Sequence, residues 1–327
     1  MLGNKDKLNR MRSLAHAGTL SHAYLLTGER GMGKKTLAQE ICLSLFCSSP
    51  DPLGCACRTC PECKKVLSGN HPDIISVTHS KPAAIGVDDI REQVNDTVDI
   101  KPYSRDRKVY IIDEAEKMTP QAQNALLKSL EEPPAYVSML MLCSDEKKLL
   151  DTILSRCERI RMDRIPEDVI REFLTVEKGI DRETADICAA FSEGNPGRAL
   201  TLATSDEFKN TYKKVLQLLK NLNTMDASQF LELADEFVAD DTDLQEVLDL
   251  ISLWFRDVAV MKALGENGSY SYRGEMAALR KTAAGLKENT PAEVLSEIEK
   301  TSKRLKANVN KELSMELLFI KMKESGR

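Results

Sequence analysis

The chain has 327 residues, more than one typical core, and its length suggests two or three domains. Hydrophobic content of 42% and charged content of 30% describe a soluble globular protein, and a net charge of −5 excludes a whole-chain positive field that would draw it onto nucleic acid. No run of eighteen apolar residues and no signal-peptide pattern in residues 1–18 occurs, so the expectation is a cytoplasmic protein with no membrane partner.

Residues 1–22 read as a polar-amphipathic helical stretch ending at Ser21-His22, with His22 more in keeping with a cap than with a nucleotide site. Ala23-Tyr24-Leu25-Leu26 then has strand character. Gly28 to Thr36 follows as Gly-Glu-Arg-Gly-Met-Gly-Lys-Lys-Thr, and a helical pattern with Leu37, Ile41 and Leu45 four apart continues to about Phe46. Strand, glycine loop, lysine and helix in that order make a P-loop. Gly28, Gly31 and Gly33 let backbone N–H groups close around phosphate, the helix start adds partial positive charge, and Lys34 supplies the phosphate-binding ammonium. The motif requires Ser or Thr directly after that lysine to hold Mg²⁺. Here that position is Lys35, and Thr36 comes one residue late, about 100° around the helix. The expectation is a cradle for ATP or ADP with weak or absent Mg²⁺-dependent hydrolysis.

Nine cysteines are present, and five of them fall between Cys47 and Cys63. In a reducing compartment such crowding argues for metal and against disulfides. Cys57, Cys60 and Cys63 make two consecutive C-x₂-C steps. With Cys47 as fourth ligand they give the closed Cys₄ set of a structural Zn²⁺ site. Cys55 is a spare that could replace Cys47 or Cys57, and His71 is a weaker candidate ligand. Cys42, Cys143, Cys157 and Cys188 read as packing residues.

Ile74–Val77 reads as a short strand, followed by a helix from about Val87 with Asp88 and Asp89 in its first turn. Arg105-Asp-Arg107-Lys108 precedes the apolar strand Val109–Ile112, which ends in Asp113-Glu114. That is a Walker B arrangement, in which Asp113 would assist Mg²⁺ and Glu114 would orient the attacking water. Thr119 and Pro120 start a helix as cap and first residue, with Ala122, Ala125, Leu126 and Leu130 facing inward and Glu131-Glu132-Pro133-Pro134 ending it. An apolar strand, Val137–Cys143, ends at Ser144-Asp145. A helix near Leu149–Leu154, the tripeptide Ser155-Arg156-Cys157 and an alternating strand, Glu158–Met162, complete this part. The predicted fold class is an α/β P-loop domain with a parallel sheet, its ligand at the carboxyl ends of the strands.

Beyond Arg164-Ile165-Pro166 the apolar strands cease. Three short helices are predicted over Glu167–Leu174, Arg182–Phe191 and after Gly194-Asn-Pro-Gly197. Longer amphipathic helices follow at Lys213–Leu222, Ala227–Phe237, Asp243–Lys262, Glu275–Leu286, Ala292–Leu305 and Lys311–Lys323, forming an all-α bundle. Its basic stripe, Lys300, Lys303, Arg304 and Lys306, reads as a solvated face.

Ile111-Ile-Asp-Glu-Ala-Glu-Lys-Met118, Asn124-Ala-Leu-Leu-Lys-Ser-Leu-Glu-Glu-Pro-Pro134 and Ile153-Leu-Ser-Arg-Cys157 together resemble the bacterial clamp-loader subunits of the AAA+ class that serve DNA polymerase III. The cysteine insertion, Gly69-Asn-His-Pro-Asp73 and Leu305-Lys-Ala-Asn-Val-Asn310 extend the resemblance over most of the chain. It implies a base domain over 1–163 carrying the zinc module (about 47–63), a three-helix lid over 164–205 and a helical collar over 206–327. The implied partners are the other subunits of a hetero-pentameric ring and, through them, a sliding clamp and primed DNA. Arg156 would be a finger in a neighbour's ATP site, Arg198 the second sensor, and Ser144 or Cys143 the first sensor, where the family usually has threonine. The Asp-Glu-Ala-Glu-Lys-Met wording and a chain ending at the collar favour the finger-donating subunit. The rival readings are an active ATPase motor subunit of the same family and a zinc module that reads nucleic acid; the latter has nearly balanced charge and no aromatic residues for stacking.

Overall fold

The computed structural model describes residues 2–222, 225, 227–239, 242–307 and 309–324. Asn308, part of the segment Leu305–Asn310, therefore lies outside the described residues, as do the outermost residues of the expected base and collar ranges. The chain divides into two compact units, Met1–Ile165 with Asn195–Gly197, and Pro166–Gly194 with Arg198–Arg327.

In the first unit α1 (Lys5–His16) precedes β1 (Ala23–Thr27), α2 (Lys34–Phe46), α3 (Pro61–Leu67) and β2 (Ile74–Ser76). Then come α4 (Val87–Ile90), β3 (Lys108–Ile112), α5 (Pro120–Glu131), β4 (Val137–Cys143), α6 (Asp151–Leu154) and β5 (Glu158–Arg161). The five strands are all parallel and run β2-β3-β4-β1-β5 across the sheet. β4 and β1 occupy interior positions, and both are buried along their whole length. Their alternating side chains feed two cores, one on each face. Tyr24, Leu26, Leu140 and Leu142 pack with Met11, Leu37, Ile41 and Phe46. Leu25, Met139 and Met141 pack with Tyr110, Val94, Leu126 and Ile153 on the other side.

Several elements differ from their sequence expectation for local reasons. The first helix stops at His16, because Ala17 caps it and Gly18 turns left-handed at φ 70°. The helix starting at Val87 has Asp89 accepting from the Gly86 N–H at 2.7 Å, then widens into a π-turn over Arg91–Asn95. β3 begins one residue early at Lys108, whose buried ammonium donates to the carbonyls of Thr97 (2.6 Å) and Ile100 (3.1 Å). The helix expected near Leu149–Leu154 is a single turn, and β5 buries only Ile160 among its four residues. Thr119 caps α5 as its sequence suggests, its Oγ1 accepting from the Ala122 N–H at 3.2 Å.

The second unit is wholly helical among its described residues. It comprises α7 (Glu167–Glu172, followed by a π-turn), α8 (Arg182–Phe191), α9 (Pro196–Thr204, whose first two residues belong to the first unit), α10 (Asp206–Asn221), α11 (Ala227–Ala239), α12 (Leu244–Leu264), α13 (Met276–Gly285), α14 (Thr290–Lys306) and α15 (Lys311–Glu324). A buried ion pair between Arg171 and Asp186 joins α7 to α8. Trp254 of α12 is fully buried, edge-on to Tyr272 at 5.1 Å. No helix among the described residues is long and apolar enough to cross a membrane.

Candidate functional site

β1 runs straight into the glycine loop, and α2 starts at Lys34. Gly31 and Gly33 have φ near +94° and +91°, a left-handed geometry that strains any residue with a Cβ. The loop thereby turns onto the first turn of α2, where helix N–H groups lack intrahelical partners. A second glycine braces it: Gly197 N–H donates to the Gly31 carbonyl at 3.1 Å, and Asn195 Nδ2 to the Arg30 carbonyl at 2.8 Å. A Cβ at Gly197 would lie 2.5 Å from the Gly31 Cα, so only glycine allows this approach.

Lys34 is 8% exposed. Its ammonium donates to the Gly28 and Glu29 carbonyls and to the Ser144 hydroxyl, the last at 3.1 Å. Burial holds its pKa below the ordinary lysine value, against the opposing pull of Glu116 and Asp113. The loop, Lys34 and Ser144 are therefore brought together, with Ser144 at the carboxyl end of β4. The Ser144 N–H is held by Glu116 at 3.1 Å. Beside it the Cys143 thiol is buried and pushed up to about 12, so it stays neutral.

Lys35 turns the other way. Its Nζ lies 2.7 Å from Asp113 Oδ2 at the end of β3, and its side chain remains 77% exposed. Lys35, Thr36 and Asp113 line a cavity of about 500 Å³ together with Cys42, Val66 and Ile111. It is the Lys35 ammonium that meets the aspartate there. Glu114, in a left-handed conformation at φ 51°, is paired with Lys117 at 2.7 Å, and that hydrogen bond holds its carboxyl below the usual glutamate value.

The cysteine cluster is geometrically closed. The sulfurs of Cys47, Cys57, Cys60 and Cys63 all lie within 4.8 Å of one another. Backbone N–H groups of Cys57, Cys60 and Cys63 point at the sulfurs of Cys47, Cys57 and Cys60 at 3.3, 3.4 and 3.4 Å. Cys60 also caps α3, with Pro61 at the first helical position. Hydrogen bonds from the Thr59 and Cys60 backbones lower the Cys57 thiol to about 6, which favours the thiolate a metal needs. This cluster fits a metal ion. Cys55 is outside this group, facing Arg12 Nη1 at 3.4 Å. His71 is outside it too: it stacks on Phe46 at 4.1 Å, with Nε2 3.1 Å from Glu62 Oε2. The module is fastened to the base through Glu40 of α2, which pairs with both Arg12 and Arg58.

Arg156 follows α6. Its Nη2 lies 2.7 Å from Glu131 Oε1, its Nη1 donates to the Thr152 carbonyl at 2.9 Å, and its side chain is 35% exposed. Arg198 belongs to the second unit, where its guanidinium lies 5.1 Å from the Phe191 ring centre.

A family model described as DNA polymerase III, delta subunit, matches residues 3–166, half of the chain. The chain belongs to this family. The DNA polymerase III subunit delta' of Bacillus subtilis is 29% identical over 311 residues, covering 93% of this chain and 92% of that one. The tau subunit from the same organism is 31% identical, covering 85% of this chain but only 52% of its own length. A solved Thermotoga maritima protein described as DNA polymerase III gamma subunit-related has 21% identity and a TM-score of 0.43, covering 98% of this chain and 99% of that one.

Within this member of the family, sequence reasoning missed three acidic and basic partners: Glu131 for Arg156, Lys117 for Glu114, and Glu116 for Ser144. Lys117 was open to inspection as an i+3 neighbour of Glu114. Glu131 stood in the Leu-Glu-Glu-Pro-Pro segment, where it read only as the end of a helix.

Proposed function

We propose that this chain is a delta-prime-like clamp-loader subunit of DNA polymerase III, cytoplasmic, which helps a ring of related subunits place a sliding clamp on primed DNA. The observation that carries the reading is the 2.7 Å pair between Lys35 and Asp113. A P-loop ATPase holds Mg²⁺ between a hydroxyl after the lysine and the Walker B aspartate. Here an ammonium replaces the first and occupies the second. The glycine loop and Lys34 cradle ATP or ADP, with Ser144 as a sensor residue, but the chain turns nucleotide over slowly or not at all. Glu114, tied to Lys117, supports the same conclusion. Coverage of more than nine-tenths of both chains in the delta' comparison favours this reading over the tau-like motor.

Arg156 is the residue that acts on chemistry, in a neighbouring subunit. A guanidinium beside a transferring phosphoryl group stabilises transition-state charge. The Cys₄ set holds a structural Zn²⁺, tetrahedral with no position left for water. Residues 1–163 form the base, 164–205 the lid and 206–327 the collar through which the ring assembles. Val309, Leu313, Leu317 and Ile320 beside and along α15 are 41–51% exposed, while Met315, Leu318, Phe319 and Met322 on the same helix are buried. A helix apolar on two faces suits packing against a second subunit as well as its own bundle.

The test is Arg156→Ala in the assembled ring. Nucleotide binding by this chain stays unchanged, while turnover at the adjoining site falls by about 10³-fold or more. Undiminished turnover removes the finger role. Steady-state hydrolysis by the isolated chain, abolished by Glu114→Gln, would instead identify the motor subunit.

A further inference from the structure

The magnesium ion that a P-loop ordinarily employs does not fit this site. Its two protein anchors are a hydroxyl directly after the phosphate lysine and the carboxylate at the end of the Walker B strand. The first position is Lys35, and the second, Asp113, already has that ammonium 2.7 Å from Oδ2. A divalent ion binding Asp113 at about 2 Å would either displace Lys35 from Oδ2 or take the other oxygen beside a charge of its own sign.

The two lysines divide the work. Lys34 is buried and engaged by two loop carbonyls and the Ser144 hydroxyl, so it fixes the loop. Lys35 keeps 77% of its side chain open to solvent while Asp113 aims its ammonium. An ammonium has three donors, and one carboxylate oxygen uses one of them. The remaining two are open to anionic oxygens brought beside Asp113.

We propose that Lys35 is the site's own cation: held by Asp113, its ammonium bridges that carboxylate to the terminal phosphate oxygens of a nucleoside di- or triphosphate, so that this chain binds nucleotide without Mg²⁺. The inference rests on the reading that the glycine loop holds nucleotide. It adds that Mg²⁺ contributes nothing to the affinity and, by masking the phosphate charge, competes with Lys35. Lys35 thereby sets the specificity of the site for metal-free polyphosphate.

The experiment titrates the full-length chain with a fluorescent N-methylanthraniloyl ADP, once in EDTA and once in millimolar MgCl₂, following anisotropy. The wild-type Kd is equal in the two conditions or lower in EDTA. Lys35→Thr weakens binding in EDTA by about tenfold or more, the loss expected for one charge-assisted hydrogen bond, and recovers affinity when Mg²⁺ is added. Lys35→Arg, which keeps the charge, retains metal-free binding and shows that the substituted chain is folded. Wild-type binding that requires Mg²⁺, or a Lys35→Thr chain unchanged in EDTA, overturns the inference and leaves the nucleotide cradle standing. No binding in either buffer overturns both, and leaves the role of Arg156 to the ring assay.

Discussion

The cysteine module and the glycine loop sit on the same helix, α2, at opposite ends, and they are assembled by opposite logics. In the module every donor is present and mutually oriented, with four sulfurs within 4.8 Å and three backbone N–H groups turned toward them. In the loop one donor has been exchanged, and the exchange is absorbed by an ion pair with the carboxylate that would share Mg²⁺ with the missing hydroxyl. A closed donor set gives rigidity and no chemistry. On the proposed reading, the loop with its altered donor keeps the capacity to hold an anion while losing the means to activate water. The lesson is that ligand-set completeness, read residue by residue, separates a structural centre from a catalytic one.

The contrast can be broken most severely at the module. With zinc bound, removing it by chelation, or by Cys60→Ser, costs about 10 kcal/mol of metal-binding energy, and residues 57–67 lose amide protection while β1, β3 and β4 keep theirs. Cys55→Ser, outside the cluster, leaves zinc content and protection unchanged. Hydrogen–deuterium exchange and a colorimetric zinc assay distinguish these outcomes.

A smaller effect is expected in the segment that leads from the module to the sheet. Asp73 is 2% exposed and accepts from the Tyr103 N–H and from both the N–H and the hydroxyl of Ser104. Burial works to raise its pKa, but those hydrogen bonds outweigh it and bring the value below the ordinary aspartate range. The folded pKa is thus lower than the unfolded one. Its contribution is complete above the unfolded value, about 3.9, and is lost as pH falls through the folded value. Asp73→Asn costs about 2–3 kcal/mol at neutral pH, measured by denaturant melts, and makes the acid limb of the stability curve shallower.

The mildest perturbation sharpens the loop side of the comparison. Gly197→Ala pushes a methyl group against the Gly31 backbone at 2.5 Å. It is expected to cost about 1–2 kcal/mol of stability and to weaken nucleotide binding, with zinc content unaffected. Equal loss at both ends of α2 would mean that the two regions are coupled.

Much of this was legible in the sequence because it depends on short-range pattern. The apolar run Val137–Cys143 is an interior strand, Thr119-Pro120 starts α5, and the C-x₂-C steps make three corners of the cysteine cluster. What escaped depends on strand order. Lys35 follows β1 and Asp113 ends β3, and they come together only across the sheet order β2-β3-β4-β1-β5. The Glu131–Arg156 pair likewise joins the end of α5 to the turn after α6. Nor does spacing show that Cys55 lies apart from the other four sulfurs, facing Arg12 of α1.

The Glu131–Arg156 pair has a consequence for the subunit while it is alone. A guanidinium resting against a carboxylate at 2.7 Å presents little net charge to passing solutes. Stray phosphates, nucleotides and nucleic-acid backbones in a crowded cell therefore find a poor landing place there. On the finger role proposed above, only an anion delivered at close range by a neighbouring subunit competes with a counter-charge already in place. Under that proposal, selectivity for the right neighbour is written into the resting pair, before any encounter has taken place.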